Sequence, residues 1–533
     1  MKMTNITIAV LTAALLASCN PLGSGAGPLP PSAFSAVPLG GGGLTSDDAR
    51  ALAVAFNAAE QVPSGGPCVT EPTFGALYPR NFTPPLVEWV APPGLNVFEV
   101  RMHVDNQRND LFLYTTGSSF SIPDDIWTAL VANSQDRDIL ISMRGSTMAD
   151  AQHITGAVFA GSAGAVHIAP VDATGAIVYW TTSLGSALKG FRIGDKQVRM
   201  VLSPELVTAA GKPTTCVGCH SSSPDGQLVF FGRQQPTYSV DARKVDGTGA
   251  AAAVEQVTAN ALANLNRIDQ NMPTLSKAHY NASDAVVLTS LNTAGAANKW
   301  EIAWTDLHAQ TGGTGIIARN GDPLGAANPT WSHDGNNIVY MSSFAIANAR
   351  PDVGNGDLWT VPYNDRKGGT AMPLPGVNDP ASNQYYPTYS PADTFIAFNR
   401  TPRGRQMYSS PTAEVWIAPG AGGQPMRVAA NDPPACAERP SPGITNSWPR
   451  WSPSAQTKNG RHYYWLVFSS QRRPLPGAKV TYPPQLFMSA VVTKDGPMGE
   501  VLDSTYPALY IPTQPADESN HTPAWDEFEI PAG

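Results

Sequence analysis

Hydrophobic and polar residues alternate in short runs through most of this chain. Between about residues 72 and 163, turn residues separate four runs rich in β-branched and aromatic residues. They are LVEWV at 86–90, VFEVRM at 97–102, DLFLY at 110–114 and ILISM at 139–143. A period of two is typical of strands with one buried face, so a small antiparallel β-sandwich is predicted here. Trp89 is expected in its core, and so is Trp127, which lies in a predicted helical turn.

One short helix is predicted ahead of the sandwich, in the segment 45–71. Thr45 and Asp48 supply helix-capping side chains, and apolar residues follow before Pro63. The preceding segment, 20–44, is rich in Gly, Pro, Ser and Ala. It is predicted to be a flexible tether that carries no chemistry.

The rest of the chain repeats one short segment followed by an apolar strand. Five copies open with Pro-x-(aromatic or Leu), at Pro273, Pro329, Pro387, Pro449 and Pro523. A sixth copy, SPDGQLVF at 223–230, aligns so that His220 stands where the others have proline. Successive landmarks are 53 to 74 residues apart, which suits one four-stranded blade per repeat.

These Pro-x-Trp-Ser segments and their Asp-Gly turns, such as Asp334-Gly335, resemble the TolB-like β-propeller repeat. The resemblance spans roughly residues 165–533 and implies that each segment begins the innermost strand of a blade. The predicted fold class is therefore all-β. A sandwich over 72–163, similar to an immunoglobulin or fibronectin type III module, precedes a propeller over 164–533. Six blades are predicted, and five, seven or eight stay open.

Composition narrows the possible partners. Charged residues are 14% of the chain, the net charge is −8, and no basic run could follow a phosphate backbone. Nucleic acid is therefore not expected as a partner. The sequence contains no Gly-x-Ser-x-Gly, no His-Glu-x-x-His and no phosphate-binding loop. A hydrolase has no support.

The N-terminus predicts export from the cytoplasm. Lys2 precedes an apolar stretch over 6–16 that is too short to span a membrane as a mature helix. Leu-Ala-Ser-Cys at 16–19 resembles a bacterial lipobox, which implies a signal peptide over 1–19 and lipid on Cys19. Asn20 after it implies an outer-membrane lipoprotein of the cell envelope, on either face of that membrane. The alternative is an ordinary signal peptide with a chance cysteine.

Residues whose side chains can attach a cofactor covalently lie together in CVGCH at 216–220. Cys-x-x-Cys-His is the attachment signature of a c-type haem. Cys216 and Cys219 would bind the two vinyl groups, and His220 would be the proximal iron ligand. One covalent haem c is therefore predicted. A redox dithiol would need the motif to open a helix, whereas a turn follows, and zinc would need a second ligand pair. A disulfide, a redox dithiol or another metal remain as alternatives.

Two residues are candidates for the distal haem ligand. Residues just before the inner-strand prolines would share a rim with His220, and among them Met272 and His521 can bind iron. His279, another residue or an open iron site are the remaining alternatives. Separately, Cys68 and Cys436 could form a disulfide in an oxidising compartment.

The predicted function is electron transfer at the cell envelope, to a redox partner or other envelope protein, by a lipid-anchored haem propeller. Propeller, sandwich and haem motif together resemble a group of bacterial envelope lipoproteins. The main alternative is a scaffold that binds a protein or cell-wall ligand, with haem as a structural or redox accessory. A peroxidase-like haem enzyme is a minor alternative, because it needs an open iron and a distal acid-base group.

Overall fold

The computed structural model describes most of the chain beyond residue 43. The described residues are 35–38, 44–107, 110–183, 185–208, 213–234, 237–282, 284–293, 300–347, 350–351, 354–436, 440–473, 483–497 and 499–531. Cys19 and the predicted signal peptide lie outside them. Within these ranges no helix is long and apolar enough to cross a membrane.

The chain forms two compact units. The first contains the chain up to Asp172, with Asp432–Glu438 and Tyr506–Pro512. The second contains Ala173–Asn431, Arg439–Thr505 and Thr513–Gly533. The two later segments of the first unit interrupt the propeller repeat in sequence, so each unit is completed by residues distant along the chain.

Two β-sheets build the first unit. Its strands are β1 (Ser35–Pro38), β2 (Gln61–Val62), β3 (Cys68–Glu71), β4 (Leu77–Tyr78), β5 (Leu86–Val90), β6 (Val97–His103), β7 (Leu111–Thr115), β8 (Ser119–Ser121), β9 (Arg137–Asp150) and β10 (His153–Ile168). The larger sheet has the order β1-β7-β6-β9-β10-β2, with β4 also on β10, and the smaller has the order β3-β5-β8. Trp89 of the smaller sheet packs edge-on against Phe98 of the larger, with ring centroids 5.3 Å apart. Part of the core therefore lies between the two sheets, as the strand pattern predicts.

Three short strands depart from the predicted antiparallel pattern. β1, β2 and β4 pair in parallel with β7, β10 and β10. β1 also corrects the prediction that the whole of 20–44 is a tether, because it occupies residues 35–38. Added strands of this kind satisfy backbone groups that a sheet edge leaves open, which side-chain composition does not indicate.

Helices α1 (Ser46–Ala58) and α2 (Asp124–Asn133) accompany these sheets. A capping box starts α1, in which Thr45 Oγ1 accepts from Asp48 N while Thr45 N donates to the Asp48 carboxylate. Trp127 on α2 is 4% exposed, and its Nε1 donates to Phe82 O over 2.8 Å. The first was predicted as a helix and the second only as a helical turn, and Trp89 and Trp127 are core residues as expected.

The second unit is a six-bladed β-propeller, as predicted. Blade I contains β11 (Ala176–Thr181), β12 (Ala187–Arg192), β13 (Arg199–Leu202) and the last strand β39 (Asn520–Asp526). Blade II contains β14 (Cys216–Ser222), β15 (Leu228–Gln234) and β16 (Tyr238–Lys244); blade III contains β17 (Gln270–Leu275), β18 (Val286–Asn292), β19 (Trp300–Asp306) and β20 (Thr314–Ile316). Blade IV contains β22 (Gly325–Trp331), β23 (Asn337–Ser343), β26 (Asp357–Pro362) and β28 (Met372–Pro373). Blade V contains β29 (Ser382–Tyr389), β30 (Phe395–Pro402), β31 (Glu414–Pro419) and β32 (Met426–Arg427); blade VI contains β33 (Ser447–Trp451), β34 (Gln456–Lys458), β35 (Arg461–Ser470), β36 (Gln485–Gly496) and β37 (Gly499–Thr505).

Several further short elements are described. They are β21 (Ala318–Asn320) with β27 (Gly368–Thr370), β24 (Ile346–Ala347) with β25 (Arg350–Pro351), β38 (Leu509–Tyr510), α3 (Pro204–Val207), α4 (Ala259–Leu265), α5 (Lys277–Asn281) and a 3-10 turn (Ala429–Asn431).

The innermost strands close into a ring. Each of β39, β14, β17, β22, β29 and β33 contacts the innermost strands of both neighbouring blades. Blade I takes its three outer strands from the start of the propeller and its innermost strand from the end of the chain. This pairing of β39 with β11 joins the first and last repeats, so no open sheet edge remains between them.

All six inner strands carry the same backbone irregularity. The register with the second strand shifts at one point in each blade. At that point a residue with positive φ precedes the repeat proline or His220; these residues are Cys219 (46°), Met272 (57°), Asn328 (51°), Tyr386 (53°), Trp448 (61°) and Thr522 (36°). The shared bulge shows that His220 occupies the position of the repeat proline.

Candidate functional site

A cavity of about 180 Å³ lies in the central channel of the propeller. All six inner strands contribute to its wall, because alternate residues of each strand point toward the channel axis. The first residue after the repeat proline or His220 lines it in every blade: Ser221, Thr274, Thr330, Thr388, Arg450 and Ala524. The wall is therefore mostly hydroxyl-bearing, with one guanidinium.

His220 is a buried residue of this wall. It is 8% exposed, and its Nε2 lies 2.9 Å from Val178 O in blade I. A carbonyl oxygen only accepts, so Nε2 carries the proton and donates it. Burial, assisted by the charge of Arg450, lowers the pKa of His220 to about 4. The imidazole is thus neutral at pH 7, and its buried Nδ1 has no hydrogen-bond partner among the described atoms.

Cys216 and Cys219 form no disulfide with each other and lie in different surroundings. Cys219, at the bulge of β14, lines the cavity and packs against the apolar cluster that includes Met272 and Trp448. Cys216, three residues earlier on the extended strand, lies with its Sγ 3.5 Å from Ser186 Oγ. It is not among the described residues of the cavity wall.

Ser186 fixes the beginning of β14. Its hydroxyl donates to Val217 O over 2.9 Å and accepts from Val217 N over 3.0 Å. Near its first residue, the strand that carries the Cys-x-x-Cys-His motif is therefore hydrogen-bonded to the loop between β11 and β12 of blade I.

The candidates for distal ligand are separated by the fold. Met272 lines the same cavity as Cys219 and His220. His521 does not line that cavity; it lies beside Trp180 and contacts Ser519 Oγ at 3.1 Å. Burial lowers the pKa of His521 to about 4.

His279 is engaged elsewhere in the second unit. Its Nε2 donates to Gly335 O over 2.7 Å, and Nδ1 lies 3.3 Å from Asp284. The ring also packs against Trp331 and Tyr363. Of the candidates, Met272 therefore shares a cavity wall with the motif.

Arg450 is a channel residue that the sequence reasoning missed. Its guanidinium carbon lies 4.7 Å from the centroid of Trp448, and Nη1 donates to Pro449 O over 2.8 Å. Burial lowers the pKa of Arg450 to about 10, so the group stays charged at pH 7. The available signal was that the other five repeats have Ser, Thr or Ala at this position.

Charges of both signs line the cavity near the ends of the inner strands. Asp526 accepts from Glu527 N over 2.9 Å. Burial raises the pKa of Asp526 to about 6, and the nearby His333 and Lys277 oppose that shift. All four residues belong to the cavity wall.

Cys68 and Cys436 form a disulfide within the first unit, with their Cα atoms 6.4 Å apart. The bond joins β3 to the segment Asp432–Glu438. The two cysteines are 368 residues apart in the sequence.

The side chains of Cys216, Cys219 and His220 have the chemistry that a c-type haem requires. Two thiols and an imidazole lie on one strand, and the imidazole has a buried nitrogen without a partner. Two features of this conformation differ from what attachment needs. His220 Nε2 is bound to Val178 O, and Cys216 lies off the cavity wall.

Comparisons with known proteins add little to what the strand pairing already shows about the fold. No protein-family model matches the chain, and no curated protein matches its sequence. A putative TolB from Agrobacterium tumefaciens has 15% identity and a TM-score of 0.34, over 66% of this chain and 97% of that one. Hydrazine synthase of Kuenenia stuttgartiensis has 12% identity and a TM-score of 0.32, over 53% and 70%. A chain of a nidogen/laminin complex has 8% identity and a TM-score of 0.33, over 64% and 100%. Likenesses this low carry no argument about function.

Proposed function

We propose that this propeller binds one haem c covalently through Cys216 and Cys219, with His220 as proximal ligand, and transfers electrons at the cell envelope. The observation that supports the proposal is that two cysteines and a buried, neutral imidazole lie on one inner strand, and Cys219 and His220 line the central cavity.

Each residue of the motif has a separate task. Cys216 and Cys219 hold the group covalently, which lets a shallow seat retain it. His220 supplies a neutral imidazole, because burial keeps its pKa near 4 and leaves a nitrogen lone pair available at pH 7. When bound, the haem iron supplies a one-electron redox couple.

Met272 is the proposed distal ligand. We choose it because Met272 lines the same cavity as Cys219 and His220, whereas His521 lies outside that cavity. A thioether ligand raises the reduction potential relative to a second imidazole.

Electron transfer is favoured over catalysis because Arg450, whose charge lowers the pKa of His220, stays protonated and so cannot act as a base beside it. One haem alone also requires a partner as the next carrier. Export and lipid attachment at Cys19 would place that partner in the envelope.

Haem attachment is tested in a bacterial envelope with an active c-type maturation system. The mature full-length protein should keep its haem through acid-acetone extraction, and Cys216→Ala/Cys219→Ala should lose it. Complete loss of colour from the unmodified protein would disprove the attachment.

Function is tested by redox cycling of the loaded protein. Rapid, reversible reduction by small donors and by envelope extracts supports electron transfer. Binding of an envelope protein that is undiminished in Cys216→Ala/Cys219→Ala, with no redox exchange within seconds, would leave the scaffold alternative and exclude the carrier.

A further inference from the structure

The guanidinium of Arg450 lies in the channel without an acidic partner. Among the described residues, no carboxylate forms an ion pair with it, and its hydrogen bond goes to the carbonyl of the adjacent Pro449. Arg450 is partly buried, and a partly desolvated charge is stabilised when an anion approaches it. Asp526 and Glu527 line the same cavity, and the Asp526 carboxylate accepts from Glu527 N.

The surroundings of Arg450 combine polar and apolar groups. Arg450 of blade VI lines the same cavity as Cys219 and His220 of blade II. Ser221 Oγ, on the same wall, is buried and has no partner among the described atoms. On the other side, Trp448 and Met272 belong to a buried apolar cluster.

We infer that the channel is a binding site for a small organic carboxylate held by Arg450. The planar fork of the guanidinium matches a carboxylate with two parallel hydrogen bonds. The Ser221 hydroxyl can donate to the same anion, and the apolar body of the ligand lies against Met272 and Trp448. The cavity of about 180 Å³ is far larger than the 10 to 15 Å³ that one water needs.

This inference is independent of the proposed haem. Because haem carries propionate carboxylates of its own, the test uses the full-length, haem-free Cys216→Ala/Cys219→Ala protein. Acetate, butyrate and inorganic phosphate are titrated by calorimetry at constant ionic strength. Butyrate should bind at one site and several-fold more tightly than acetate, since it adds apolar surface. Phosphate should bind more weakly than butyrate.

Two arginine variants test whether Arg450 holds the carboxylate. Arg450→Gln should weaken butyrate at least tenfold, because it removes the charge. Arg405→Gln should change the affinity less than twofold, since Arg405 is exposed and outside the cavity wall. Equal binding by both variants, or phosphate binding more tightly than butyrate, would overturn the proposal.

Thermal unfolding of the haem-free parent provides the second readout, which does not depend on whether Arg450→Gln folds. Butyrate should raise the melting temperature of the haem-free parent with concentration, as a ligand of the native state does. Sodium chloride at the same ionic strength should not. Equal shifts from both salts would show a general salt effect and reject the site, and in that case the haem proposal stands or falls on its own extraction test.

Discussion

His220 Nε2 donates a hydrogen bond to Val178 O, so the imidazole of blade II closes the seam with blade I. The same ring occupies the position at which five other blades have proline. This relationship explains how one repeat can carry histidine in place of proline without disturbing the ring. A proline position has no backbone donor to lose, so the side chain there is free to change.

His220→Pro should fold nearly as well as His220→Ala. Both variants lose the bond to Val178 O, at a cost of about 1 kcal/mol. Proline fits the backbone of the other blades and restricts the unfolded chain, which offsets part of that loss. Urea unfolding of the haem-free protein followed by circular dichroism measures the difference. If His220→Pro were several kcal/mol less stable than His220→Ala, β14 would need the His220 N–H and the proposed equivalence would be wrong.

Met272→Leu should abolish the weak long-wavelength ferric band of a His/Met haem and lower the reduction potential. Leucine keeps the packing, so the stability should fall by less than about 1.5 kcal/mol. Met341→Leu is the matched control, because Met341 is buried in the same cluster but is not on the cavity wall. The assignment fails if the spectrum survives in Met272→Leu, or if His521→Ala removes the band instead.

Asp526→Asn should change how stability depends on pH. Burial raises the pKa of Asp526 to about 6 from an unfolded value near 4, so the folded protein binds the extra proton. That contribution is fully present below pH 4 and is lost as the pH rises through 6. Since Asp526 is only half-buried, the variant should gain about 1 to 2 kcal/mol at pH 7 and little at pH 4. Urea midpoints at both pH values measure this, and an equal change at both would contradict it.

Reducing the Cys68–Cys436 disulfide should destabilise the first unit. The bond closes a loop of 368 residues, so its loss releases a large entropy in the unfolded chain. Cys68→Ala/Cys436→Ala should cost about 2 to 5 kcal/mol. Dithiothreitol should lower the melting temperature of the parent but not of the variant. An equal effect of the reductant on both proteins would locate its action elsewhere.

The sequence by itself determined the repeat and the inner strands, and it favoured six blades while leaving five, seven or eight open. A period of two and the recurring Pro-x-(aromatic or Leu) segment are local properties, and the backbone of each blade follows from them. His220 could be aligned with Pro273 and Pro329 for the same reason. α1 was predictable because the Thr45 cap depends on residues three apart.

The tertiary structure alone decided which side chains share a space. Met272 and His521 precede equivalent prolines, yet Met272 lines the cavity of His220 and His521 turns toward Ser519. Arg450 gains its significance only when six strands meet around one channel. The parallel pairing of residues 35–38 also depends on an open sheet edge elsewhere. Such features arise from contacts between residues that are distant along the chain, and no local pattern encodes them.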